Sequence, residues 1–359
     1  MSKPRLIAFY LPQFYPTPEN DEWWGKGFTE WTNVGKAKPL FKGHNQPKVP
    51  ADLGYYDLRL PIIREQQAQM AKDAGIEGFC YWHYWTNGKR MLSQVFDEVV
   101  CNKTPDYPFC LCWANHNWYK KTWSEKGKDV LLIKQEYRGV EDYTNHFNVM
   151  LPAFKDPRYM KVNGKLIFGI FLPYDLPNPK QFFDTWNELA VKNGLEGFFF
   201  FAYCNQRTKT DSYLKMGFDC VVLNLDWEYM FRKGDILRGL NKLKRNYLNI
   251  PNLIPYKKYV EICKEDFNDD PAVIPCLEPN FDHSPRSGTK GLIFKNSTPK
   301  YWEELCTDTF QTRAALPENE NVVFIKAWNE WGEGNYLEPD LQFGRGYLQA
   351  LKMAYLSIQ

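Results

Sequence analysis

The chain has 359 residues, 25% of them charged and 44% hydrophobic, and its formal net charge is +2. This is the composition of a globular protein with a sizeable core, not of a disordered one, and its balanced charge gives no field that would gather nucleic acid or an anionic membrane. The unusual figure is 17% aromatic residues, 13 of them Trp; rings in excess of what a core needs often line a surface or cleft, and sugars present apolar C–H faces that stack on them.

The first residues, "MSKPRLIAFYLPQFYPTPEN", hold only a short apolar run, broken by Pro12 and Gln13. That is not the continuous h-region of a signal peptide. No stretch of about 18 apolar residues predicts a membrane span, so the expected location is the cytoplasm. "RLIAFYL" (5–11) opens a series of short apolar runs. It is followed by a long loop (12–57) rich in Trp, Gly, Pro and Asn, then by "LRLPIIREQQAQMAKDAGI" (58–76). The latter predicts a helix, with Pro61 in its first turn and Gly75 at its end. "GFCYWHYW" (78–85), "PFCLCWAN" (108–115) and "KLIFGIFL" (165–172) come next. A second helix is expected over 179–195, between Pro179 and Gly194, and then "GFFFFAYC" (197–204) and "FDCVVLNL" (218–225). A second long connection, 226–271, contains the basic stretch "FRKGDILRGLNKLKRNYLNIP". It reads as a solvated helix face or, alternatively, as a site for an acidic ligand. "AVIPCLEP" (272–279), a helix over 298–314 with Thr298 at its N-cap, and "NVVFIKAW" (321–328) complete the series.

Each run is short, β-branched or aromatic, and bounded by polar or turn residues, as strands buried on both faces are. Eight of them alternating with helices predict a (β/α)₈ barrel, a single domain spanning 1–359. A doubly wound open sheet is the alternative, weakened because no G-x-G-x-x-G or G-x-x-x-x-G-K-[ST] is present. The nine cysteines are scattered, several inside apolar runs, where a reduced Cys behaves as a small hydrophobe. Their spacing predicts no zinc site, and neither a metal nor a cofactor is expected.

In such a barrel the active site lies where the strands end. The first run carries Tyr10 near its end and is followed by Gln13, then by "WWGKGFTEWTNV" with Trp23, Glu30 and Trp31. The second offers Trp82 and His83, the third Trp113, Asn115 and His116, and the fifth Tyr203. "NFDHSPR" (280–286) after the seventh brings Asp282 and Arg286. After the eighth come Trp328, Asn329, Glu330, Trp331 and Glu333. Flat rings with amides and carboxylates between them make a sugar cleft. Several of these residues have plainer readings: His83 as a core histidine, Glu30 as a loop cap, Asp282 and Arg286 as a structural pair.

Glu330 and Glu333 are the candidate catalytic pair. Cleaving a glycosidic bond needs a proton for the leaving oxygen and stabilisation at the anomeric carbon, which two carboxyls with separated pKa values supply. A Glu pair three apart is also common on solvated turns. Here it follows a buried strand, between Trp residues and with no basic partner nearby. No G-x-S-x-G elbow supports a serine hydrolase.

The segments "IAFYLPQFYPTPENDEWWGKGFTEWTNV", "GFCYWHYW", "WANHNW" and "AWNEWGEGNYLEPD" together resemble the WbsX-like proteins, labelled glycosyltransferases of bacterial surface-polysaccharide clusters and related to glycoside hydrolase family 99, the endo-acting α-mannosidases and mannanases. The resemblance covers nearly the whole chain. It implies a (β/α)₈ barrel and a retaining reaction through a 1,2-anhydro sugar. Glu330 would deprotonate the 2-hydroxyl and Glu333 would be the general acid/base. The label says transferase while the motif looks hydrolytic, and no nucleotide-sugar motif is visible. The expected activity is therefore a glycosidase acting on an α-linked, mannose-like sugar of a polysaccharide such as an O-antigen, with an oligosaccharide or polysaccharide as partner. The alternatives are a transferase and a non-catalytic carbohydrate-binding barrel. Oligomeric state is not legible in the sequence.

Overall fold

The computed structural model describes residues 2–120, 130–233 and 250–358, with isolated positions from 239 to 247. Its centre is a closed parallel barrel of β1 (Arg5–Tyr10), β2 (Ile76–Thr86), β3 (Phe109–Trp113), β4 (Lys165–Ile170), β5 (Phe198–Cys204), β6 (Cys220–Asn224), β7 (Val273–Leu277) and β8 (Val322–Ile325). Each strand pairs with the next in parallel, and β8 pairs back onto β1. Closure is visible at Ile7, whose neighbours are Gly78 on β2 and Phe324 on β8. All eight apolar runs are barrel strands, so the (β/α)₈ expectation holds and the open sheet is excluded.

Outside the strands lie α1 (Pro61–Asp73), α2 (Gln94–Asn102), α3 (Val140–Phe154), α4 (Pro179–Lys192), α5 (Thr210–Lys215), α6 (Tyr256–Asp266), α7 (Pro299–Arg313) and α8 (Gly346–Leu356). The three helices expected from their caps are α1, α4 and α7. Pro occupies the first turn of each, where its missing N–H costs nothing. Thr298 takes the N-cap position of α7 in extended backbone, but its side chain does not cap. The connection 226–271 is more regular than expected, because it holds α6. Its basic run lies largely outside the described residues.

Alternation along the strands sorts the side chains into two layers. Phe9 points inward and stacks on Trp82, with centroids 4.7 Å apart, and meets Phe201 at 6.4 Å and Phe324 at 5.3 Å. Phe201 fills the interior opposite Gly169; a Cβ there would fall 2.1 Å from its ring. The outward faces of β4 and β5 pack Phe168, Phe198 and Phe200 against Trp186 of α4. Trp186 is wholly buried, and truncating such a residue costs about 3–5 kcal/mol. Eight of the nine cysteines are buried and all are free. No described helix is long and apolar enough to cross a membrane.

Candidate active site

The chain leaving β8 is tied to the chain leaving β1. Trp328 N donates to Phe9 O at 2.8 Å. The amide of Asn329 accepts from Leu11 N at 2.7 Å and donates to Leu11 O at 3.1 Å. Asn329–Glu330 then pairs antiparallel with Asn335–Tyr336, and the single 3₁₀ turn Trp331–Glu333 spans the gap. Behind the turn, Trp331 stacks on Tyr336 at 3.8 Å and donates to Glu338 Oε2 at 2.6 Å. Gly332 is required by close approach, since a Cβ would lie 2.5 Å from Glu30 Oε2 and 2.9 Å from Arg286 Nε. Gly334 sits at φ 55°, a conformation that Gly adopts without cost.

The turn presents Glu330 and Glu333 to a cavity of about 940 Å³ at the C-terminal mouth of the barrel. Its walls include Trp82, Tyr84, Trp118 and Phe171, and its rim Trp24, Phe28 and Tyr119. Polar groups reach in from Gln13, Glu30, His116, His283, Arg286 and Lys326. Rings around a few convergent charges form a typical small-molecule site.

Two cations organise the carboxylates. Arg286 Nη1 lies 2.6 Å from Glu333 Oε1 and 3.7 Å from Glu330 Oε1, while Nη2 lies 3.0 Å from Glu30 Oε2. Both catalytic candidates thus approach one guanidinium nitrogen, within the reach of one pyranose. Lys326 Nζ lies 3.3 Å from Glu333 Oε2 and 3.8 Å from Glu278 Oε1. Burial pushes Glu330 up to about 7, helped by the charge of Glu333 and only partly opposed by Lys326 and Arg286. Burial would raise Glu333 too, but Lys326, Arg286 and His283 together hold it well below the usual carboxylate range. Beneath them Asp226 is raised to about 6 and Glu278 well above the ordinary value, both chiefly by burial. No cluster of three or more His, Cys, Asp or Glu side chains suited to a metal occurs among the described residues.

Of the residues singled out in the sequence, Glu330, Glu333, Gln13, Glu30, Trp82, His116 and Arg286 line this cavity. Tyr203 packs under its floor against Phe171 and Trp82. Trp23 stands outside it, edge-on to Trp118 at 5.5 Å. The others serve the scaffold. Tyr10 points from β1 to α1 and donates to Gln67 at 2.6 Å. Trp31, partly buried, packs against the core on Phe14 and Trp331. His83 and Trp113 face α3: His83 Nε2 lies 2.7 Å from His146 Nε2, and Trp113 donates to Trp85 O. Asn115 is buried and bonded to Leu172 backbone and Tyr137. Trp328 and Asn329 hold the seam, and Trp331 backs the turn.

Asp282 does not pair with Arg286. It accepts from Gln46 at 2.6 Å and meets His44 Nε2 at 2.7 Å, behind Glu333. Its backbone N donates to Glu333 O at 2.7 Å. Glu330 and Glu333 do have basic partners, and Lys326 in particular was missed. Its signal was a lone lysine inside the apolar run "VVFIKAW". Tyr84, which strand alternation puts on the same face as Trp82, lines the cavity as well and receives the amide of Gln13.

The family model described as Glycosyltransferase WbsX matches residues 6–351. Among curated proteins, "Uncharacterized protein WxcX" of Xanthomonas campestris pv. campestris (strain ATCC 33913) is 35% identical over 353 residues, covering 97% of this chain and 49% of the relative. The chain therefore spans about half the length of the curated relatives it matches. Among solved structures, a "Glycoside hydrolase-like protein" aligns with TM-score 0.64 at 15% identity, covering 99% of this chain and 94% of the other. A GH99 endo-alpha-mannosidase from Bacteroides thetaiotaomicron aligns with TM-score 0.58 at 15% identity, covering 98% and 96%. At these identities the structural likeness speaks to the fold.

Proposed function

Because the chain belongs to the WbsX glycosyltransferase family, we propose that it is a carbohydrate-active enzyme that cleaves an α-linked, mannose-like sugar within a bacterial polysaccharide. The observation that carries this reading is the meeting of Glu330 and Glu333, one raised and one lowered in proton affinity, in a ring-walled cavity at the strand ends. Glycoside cleavage needs such a pair, one carboxyl holding a proton at the start and one not. Trp82, Trp118 and Phe171 offer flat faces to a pyranose, while Gln13, Glu30 and His116 offer partners for its hydroxyls. Retention of configuration, endo action and participation of the sugar's 2-hydroxyl are part of the proposal, supported by family resemblance and by the fold shared with an endo-alpha-mannosidase.

Glycosyl transfer is the second reading, favoured by the family's description. The same intermediate would then be captured by a sugar hydroxyl instead of water. A glycan library is incubated with the parent protein and with Glu333→Gln, and products are read by mass spectrometry. Cleavage by the parent alone is expected. Thermal stabilisation by a nucleotide sugar, with no cleavage of any glycan, would replace hydrolysis by transfer. Glycan binding that survives both glutamate replacements, without turnover in the parent, would leave a binding barrel.

A further inference from the structure

A second cavity, of about 280 Å³, shares no lining residue with the first. It forms where the first long loop, over 41–48, meets the strand Leu292–Lys295 and the segment 340–347. Gly334 and Asp282 also line it, each next in sequence to a residue of the first cavity. Its two carboxylates are buried, and both oxygens of each are engaged. Asp282 Oδ2 accepts from Gln46 Nε2 at 2.6 Å and from His44 Nε2 at 2.7 Å, and its Oδ1 accepts from Ser284 N at 3.0 Å. His44 Nδ1 accepts from Leu40 N at 3.1 Å, so Nε2 carries the proton that Asp282 receives. Asp340 Oδ2 accepts from Tyr336 Oη at 2.7 Å, and its Oδ1 from Gln342 N at 2.9 Å and Phe343 N at 2.7 Å. The donors are in the opposite condition. Lys48 is partly buried, and its Nζ reaches Gln342 Oε1 at 3.4 Å but makes no ion pair among the described residues. Burial works against its charge, and Asp282 and Asp340 sustain it from a distance. The side chains of Lys42, Lys295 and Asn296 make no hydrogen bond or ion pair among the described residues. Beside them the rings of Phe41 and His44 lie parallel at 4.5 Å, and Phe343 stands edge-on to Tyr347 at 5.5 Å.

We infer that this cavity is a second binding site, separate from the reacting one, for a single acidic sugar whose carboxylate pairs with Lys48. Donors left over beside saturated acceptors select a ligand that brings acceptors of its own. An ammonium withdrawn from water without an ion pair selects a negative one. The volume falls just under the usual range of small-molecule sites, room for one sugar ring and not for a chain. Phe41 and Phe343 offer apolar faces to its C–H groups, while Lys42, Lys295 and Asn296 offer donors to its hydroxyls. A neutral hexose would leave the charge of Lys48 unanswered, and a bare oxyanion would leave the rings unused. The sugar part of the inference rests on the carbohydrate reading above. The anion part rests on Lys48 and the saturated carboxylates alone. Asp282 N donates to Glu333 O at 2.7 Å, so the ligand is held on the segment that braces the turn. A glycan carrying uronic acid residues is thereby gripped at a point the first cavity does not reach.

The test is a titration of the full chain by isothermal calorimetry with sodium glucuronate, methyl glucoside, sodium acetate and inorganic phosphate, at low and at raised salt. Glucuronate should bind best, methyl glucoside should give no signal, and raised salt should weaken the binding. Lys48→Gln should lower the affinity for glucuronate about 10- to 100-fold, the range for losing a hydrogen bond to a charged group. Lys295→Gln, at an exposed position, should weaken it several-fold and serves if Lys48→Gln does not fold. Trp118→Ala, in the wall of the first cavity, should leave the binding unchanged. Binding that is lost in Trp118→Ala and kept in both lysine variants would place the sugar in the first cavity and overturn the inference. Acetate or phosphate held as tightly as glucuronate would overturn it too, because an anion alone would then suffice, and so would the absence of any glucuronate binding. The titration involves no turnover, so a failure of the proposed cleavage leaves its result standing.

Discussion

Glu330 and Glu338 are both buried glutamates pushed up to about 7, with burial the first cause in each. Glu338 accepts from Tyr56 Oη at 2.8 Å, Trp331 Nε1 at 2.6 Å and Gln67 Nε2 at 2.6 Å. All three donors are neutral, and the carboxyl sits behind the turn. Glu330 is on the cavity side, with one oxygen unpartnered and two cations within its field. Raised proton affinity therefore does not distinguish a reacting carboxyl from a scaffolding one in this protein. What distinguishes them is whether the hydrogen-bonding capacity has been used. Glu338 spends its capacity on Trp331 and on Tyr56, whose hydroxyl also receives Asn329 at 3.4 Å. It holds the residues that hold the pair.

The strongest way to break this contrast is activity. Glu330→Gln and Glu333→Gln should each lower turnover by about 10²–10⁴-fold, the range for losing a general acid or base, while keeping near-parental thermal melts. Full activity in either variant removes that residue from the chemistry. Next in size is the clamp. Arg286→Gln leaves Glu30 and Glu333 facing each other without their shared cation; breaking a fully buried pair costs about 3–5 kcal/mol, and this partly buried one should cost less, about 1–3 kcal/mol, readable in urea denaturation. A loss below about 1 kcal/mol would mean that the carboxylates find solvent or Lys326 instead.

The third prediction sharpens the comparison itself. Glu338→Gln puts an amide NH₂ against donors and should cost about 1–3 kcal/mol, whereas Glu330→Gln breaks no hydrogen bond made by its orphaned oxygen and should cost little. Equal losses would erase the distinction. The smallest effect is in pH. Glu338 binds its proton more tightly folded, at about 7, than at its ordinary 4.5. Its stabilising contribution is complete below the ordinary value and fades as pH rises through the folded one. Stability should therefore decline between about pH 5 and pH 8, less steeply in Glu338→Gln. Glu333 works in the other direction: its lowered affinity stabilises above the ordinary value, and that contribution is lost only in acid.

The barrel was legible because two-face burial leaves uninterrupted apolar runs, and every run became a strand. The pair at Glu330 and Glu333 was legible for a related reason: carboxylates directly after a buried strand have few places to go. Facing was harder. Trp82 and His83 were both assigned to the cleft, yet neighbours on a strand point to opposite sides, and His83 meets His146 instead. Side-chain amides were misread as well. Asn115 and Asn329 spend their bonds on Leu172 and Leu11 backbone, partners that sequence spacing does not reveal. Lys326 was hidden by its own setting, since a charge inside an apolar strand makes sense only once the acids above it are seen.

Asn329 joins residues separated by 318 positions, holding Leu11 by both its backbone groups. The turn that carries the candidate pair thus hangs from the place where the first and last strands meet. Of the eight barrel strands, the one that carries Glu330 and Glu333 on its outgoing chain is the last in sequence, and it pairs with the first. A barrel left unclosed at this one seam would keep its seven other strands and still lose the support of both glutamates.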